Sequence, residues 1–144
     1  MDYSEVELLF VEDSASDAEM VIRTLKKHHF ANKMLHVKDG EEALKFLFGE
    51  GIYNSRNSAN KLKVVMLDLK MPKINGIQVI TKMKANERTR MTPIVVVTSS
   101  NEDPDIDACY KLGVNSYVVK PIELISFNRQ FLISVFTGCF TTSR

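Results

Sequence analysis

The chain has 144 residues, 44% of them hydrophobic and 26% charged, with a formal net charge of +1. This is the composition of a soluble globular chain with room for one sizeable core. A charge so near zero gives no electrostatic case for binding nucleic acid or an anionic membrane surface, and neither is expected as a partner.

The chain reads as a single domain over 1–144, with a core over about 5–136 and no output domain after it. Its cysteines, Cys109 and Cys139, form no CxxC pair, so no zinc or redox motif is expected and both read as reduced thiols. The first residues lack the basic and apolar regions of a leader. No segment reaches the apolar length of a membrane span. A cytoplasmic location is the expectation.

Four segments read as strands: Val6–Val11, Val64–Leu67, Ile94–Val97 and Tyr117–Val119. Near-continuous apolar runs imply burial on both faces, as in a parallel sheet. Met34–Val37 is a weaker strand. Helical spacing of apolar residues fills the gaps, over 16–29, 41–48, 77–85, 103–112 and 122–136. Ser14 with Asp17 three residues on resembles a capping box, so Asp17 reads as a cap rather than a ligand. Gly113 stands where a C-cap belongs. Asp39-Gly40 reads as a turn, and Gly49 to Lys63 as a surface loop. His28, His29 and His36 lack metal spacing and read as structural. Five β-α repeats predict an α/β fold, a parallel sheet with helices on both faces.

Polar residues follow the apolar strands abruptly. Glu12 and Asp13 follow the first, Asp68 the third, Thr98 the fourth and Lys120 the last. In an open parallel sheet, carboxyl ends of strands share one edge, where ligands bind. Crowded carboxylates repel one another, and a divalent cation offsets that repulsion. Oxygen ligands select a hard ion such as Mg²⁺. A threonine hydroxyl and a lysine ammonium suit the oxygens of a phosphoryl group in transfer, with Asp68 as its nucleophile.

The run V-V-M-L-D-L-K-M-P-K-I-N-G at 64–76 resembles the phosphoacceptor segment of two-component response regulator receiver domains. V-E-D at 11–13, V-V-V-T-S-S at 95–100 and Y-V-V-K-P at 117–121 resemble the same family, in its order and spacing. The resemblance covers roughly residues 5–125. It implies a flavodoxin-like sheet of order 2-1-3-4-5 with five helices, and phosphorylation at Asp68. Mg²⁺ would be bound by Asp13, Asp68 and the backbone carbonyl of Lys70, with Glu12 acting directly or through water. Thr98 and Lys120 would contact the phosphoryl group, and Thr98 with Tyr117 would form a switch pair. Lys70 and Ser100 would flank the route of the hydrolytic water. The resemblance also implies a cis bond before Pro121. Gly76 is expected to supply a positive φ before the third helix.

The implied role is regulatory. A sensor histidine kinase or phosphotransfer protein would donate the phosphoryl group. The domain would assist its own phosphorylation and slow dephosphorylation without being a turnover enzyme. The long loop before the third strand and M-K-A-N-E-R-T-R-M-T-P at 83–93 are similar to standalone receivers paired with cyanobacterial phytochromes and other sensor kinases. The last helix departs from that group, with apolar residues from Leu124 to Phe136 on more than one face. A second face of this kind is covered either by the C-terminal tail or by a partner, the partner being most simply a second copy in a homodimer through the fourth helix, last strand and last helix. The tail 137–144 has no assigned role.

Three rival readings are weaker. A haloacid-dehalogenase-type phosphatase needs a second Asp where Lys70 stands. A nucleotide-binding module needs a glycine-rich loop after the first strand. A pseudo-receiver usually lacks the acidic or lysine positions that this chain keeps.

Overall fold

Leu8–Val11 forms β1, Met34–Val37 β2, Val64–Leu67 β3, Ile94–Thr98 β4 and Ser116–Val119 β5. All pairings are parallel and the order is β2-β1-β3-β4-β5. This computed structural model describes residues 2–27, 29, 33–54 and 61–120. Pro121, the expected helix over 122–136 and the tail lie outside the described residues.

The apolar runs are two-sided, as their sequence implies. Leu9 and Val11 of β1 pack on one face with Val65, Leu67 and Val96, while Leu8 and Phe10 pack on the other with Val64, Met66, Val95 and Val97. The first face is covered by helices α2 (Gly40–Phe48), α3 (Gly76–Lys84) and α4 (Asp103–Leu112), through Phe46, Leu47, Ile80, Met83 and Cys109. The second is covered by α1 (Ala15–Lys27), through Ala18, Val21 and Leu25. Period-2 strands thus meet period-3.6 helices on both sides.

The helix ends correct several local expectations. Asp39 is the N-cap of α2, accepting from the Glu42 N–H at 2.8 Å, and Gly40 is its first residue. The pair is a helix start rather than a turn, because the side chain satisfies an orphan amide. Gly49 at φ 67° and Gly113 at φ 91° close α2 and α4 in the left-handed region, where glycine has no Cβ penalty. Gly51–Tyr53 forms a 3-10 turn, and Tyr53 is buried beside Tyr3 and Phe46. Part of the expected surface loop is therefore core. A second 3-10 turn, Tyr3–Glu5, precedes β1, which begins at Leu8 rather than Val6.

Gly76 is not in the positive-φ region; Lys73 is, at φ 64°. Gly76 opens α3 against the β3 end, where an added Cβ would lie 2.7 Å from the Leu69 Cα and still closer to the Asp68 carbonyl. The glycine serves close backbone approach, not a left-handed turn.

Candidate functional site

β1 and β3 are neighbours at the point where the strand order reverses, the place for a ligand crevice in such sheets. The strand ends deliver their polar residues there. Glu12 and Asp68 are almost wholly buried, at 1% and 6% exposure, and Asp13 is exposed. Backbone pairing fixes these ends. Asp68 N–H donates to the Val11 carbonyl at 3.2 Å, and Glu12 N–H to the Val37 carbonyl at 3.1 Å.

The Lys120 ammonium reaches three carboxylates. It donates to Glu12 Oε1 at 2.6 Å, Asp17 Oδ2 at 2.7 Å and Asp68 Oδ2 at 3.0 Å. Lys120 is held at this edge by β5, its N–H donating to the Thr98 carbonyl at 2.8 Å. Burial pushes the Glu12 carboxyl up to about 7; the Asp68 charge adds to this and the Lys120 ammonium opposes it. Burial also acts against the Lys120 charge, but hydrogen bonds to the three carboxylates outweigh it and hold the ammonium above its ordinary value.

Glu12, Asp13 and Asp68 each offer an oxygen within 4.8 Å of the others. An all-oxygen set with this much charge fits a hard divalent cation. The resemblance alone adds the Lys70 carbonyl. The Lys70 N–H donates to Asp68 Oδ1 at 3.2 Å, which orients the carboxylate from its own turn. A surface cavity of about 490 Å³ lies beside Asp13, lined also by Lys70, Met71, Pro72 and Asp105.

Thr98 ends β4 fully buried, and its hydroxyl accepts from the Ser100 N–H at 3.4 Å. Tyr117 is half-buried and donates to the Ser100 carbonyl at 2.8 Å. The Ser100 hydroxyl donates to Asp105 Oδ2 at 2.5 Å, so the loop after β4 is tied both to β5 and to the first turn of α4. His36 packs on Phe10, and its Nε2 lies 2.9 Å from the Glu12 carbonyl. That is the structural role expected of it.

Two participants escaped sequence reasoning. Asp17 reads locally as a cap, yet its carboxylate goes to Lys120. Asp105 gives no sequence signal beyond an acidic first turn, which is common. Of the residues singled out, Glu12, Asp13, Asp68 and Lys120 gather around one point. Thr98 stands at the same sheet edge, and Tyr117 faces the neighbouring loop.

Known proteins share this fold. Residues 8–129 match the family model described as response regulator receiver domain. Response regulator Rcp1 of Synechocystis sp. is 34% identical over 113 residues, 78% of this chain and 75% of that protein. The solved Mn(2+)-bound form of Rcp1 superposes with a TM-score of 0.73 at 32% identity, over 92% of this chain and 90% of that one. The bacteriophytochrome response regulator AtBRR gives a TM-score of 0.77 at 38% identity, covering 96% of each chain. RtBRR, also a bacteriophytochrome response regulator, gives 0.78 at 35% identity, over 96% of this chain and 81% of that one.

Proposed function

The chain belongs to the response regulator receiver family, and from that premise we propose that Asp68 is its phosphoacceptor. One observation carries the reading. A buried carboxylate ends the central strand with an ammonium 3.0 Å away and two further acids beside it.

In the proposed reaction an Asp68 oxygen attacks the phosphorus of a phosphohistidine on a sensor kinase or phosphotransfer protein. The P–N bond breaks, and its electron pair stays on the imidazole, which takes up a proton from solvent. Asp13, Asp68, the Lys70 carbonyl and Glu12, directly or through water, would hold Mg²⁺. That ion supplies charge neutralisation to the phosphoryl oxygens; the Mn(2+)-bound form of Rcp1 supports a divalent site of this kind. Lys120 offers its ammonium to the transferring group, and Thr98 its hydroxyl. Their contribution is placement and charge rather than covalent chemistry.

The output is a change of surface. Thr98 moves toward the phosphoryl group, the Ser100 loop follows, and Tyr117 repacks. The face built by α4 and β5 then changes its partner preference, a homodimer being the simplest form. Sedimentation at several concentrations checks this: a strict monomer with and without beryllofluoride would remove the homodimer.

The acceptor is tested by intact mass after incubation with acetyl phosphate and Mg²⁺. A phosphoryl adduct that needs Mg²⁺ and is absent from Asp68→Asn is expected. No adduct, together with no beryllofluoride binding, would leave the chain a pseudo-receiver.

A further inference from the structure

An ammonium has three N–H donors, and those of Lys120 face three carboxylates on three different elements. Glu12 follows β1, Asp68 follows β3, and Asp17 lies in the first turn of α1. Two of these anions have other duties in the proposed reaction, since Asp68 accepts the phosphoryl group and Glu12 serves the metal. Asp17 has neither duty.

The start of α1 is arranged to release it. Ser14 Oγ accepts the Asp17 N–H at 3.3 Å, which is half of a capping box. The other half would bring the Asp17 carboxylate back to the Ser14 N–H. Instead that N–H donates to Glu12 Oε2 at 3.3 Å, and the Asp17 carboxylate bridges to the end of β5, 103 residues away in sequence.

We infer that Asp17 is a positioning residue for Lys120, holding one N–H of the ammonium so that the other two can turn to the phosphoryl group from a fixed nitrogen. The inference rests on Asp68 being the acceptor. When phosphoryl transfer and metal binding claim Asp68 and Glu12, their hold on Lys120 weakens, and the Asp17 bond is the one that stays. A nitrogen held from α1 loses less orientational freedom at the moment of transfer.

The sign of the effect separates positioning from plain charge. Removing an anion beside the site should speed reaction with an anionic donor if Asp17 acts only through its field. It should slow the reaction if Asp17 places Lys120. Phosphorylation rates with acetyl phosphate at saturating Mg²⁺ are read by intact mass for wild type, Asp17→Ala, Asp17→Asn, Lys120→Met and the Asp17→Ala/Lys120→Met double variant, with thermal melts to show folding. Loss of a charge-assisted hydrogen bond predicts a slowing of about tenfold in Asp17→Ala. Asp17→Asn keeps an acceptor oxygen and recovers part of the rate. In the Lys120→Met background the Asp17 change falls below about twofold, because the two act as one unit. If Asp17→Ala does not fold, the intermediate rate of Asp17→Asn carries the test. A rate at or above wild type in both Asp17 variants overturns the inference, as does equal slowing in both backgrounds. A wild-type protein that takes no phosphoryl group and binds no beryllofluoride overturns the acceptor reading itself, and this inference with it.

Discussion

Tyr117 donates its phenolic hydrogen to the Ser100 carbonyl at 2.8 Å, so a side-chain bond ties β5 to the loop between β4 and α4. The same serine is tied by its hydroxyl to Asp105. A ring movement can therefore release the first of these tethers and leave the second in place. In Tyr117→Phe the first is lost, at about 1 kcal/mol. Amide hydrogen exchange over residues 99–102 should quicken about fivefold, by the same energy. Unchanged exchange would mean that Asp105 holds the loop by itself.

Gly76 sits against the Asp68 backbone without room for a Cβ. Gly76→Ala must either push α3 from the β3 end or shift the Asp68 turn. Overpacking of this kind costs about 2 kcal/mol, and the phosphorylation rate should fall along with the urea midpoint. An unchanged midpoint would show that α3 can start further from β3 at no cost.

Lys73 carries the left-handed conformation in the β3–α3 loop, at φ 64°. A side chain there costs about 1 kcal/mol that glycine avoids, less the extra freedom that glycine has when unfolded. Lys73→Gly should therefore raise the thermal midpoint slightly, by the equivalent of about 0.5 kcal/mol. A lower midpoint would show that the Lys73 side chain makes a compensating interaction.

Glu12 has a pH signature in metal-free protein. Its carboxyl is raised from 4.5 to about 7, first by burial and then by Asp68. Between these values the folded state holds a proton that the unfolded state has released, so folding loses stability as pH rises from 4.5 to 7. The full loss is about 3 kcal/mol. Urea unfolding in EDTA at pH 5 and pH 7.5 should show wild type declining relative to Glu12→Gln. A constant difference would mean that the Lys120 ammonium already accommodates the Glu12 charge at low pH. Because a divalent cation needs the carboxylate, Mg²⁺ affinity should rise over the same window.

The strand ends were legible because burial on both faces demands unbroken apolar runs, and those runs stop abruptly at Glu12, Asp68, Thr98 and Lys120. A parallel sheet brings such ends to one edge whatever the details of its helices, so Asp68 and Lys120 could be placed together across 52 residues. Even the weaker β2 was readable from Met34–Val37. The sequence alone left Asp17 as a helix cap, because its spacing from Ser14 fits one. Only tertiary packing shows α1 presenting that carboxylate to the end of β5. Gly76 was expected to carry a positive φ that Lys73 carries instead, for the same reason. A positive φ and a forbidden Cβ depend on which backbone approaches, and no local pattern of residues encodes that approach. Asp105 came to matter only when α4 was placed beside the Ser100 loop. What the chain determines by itself is which residues must be buried and where burial stops; which polar groups then meet is decided by the distances that packing sets.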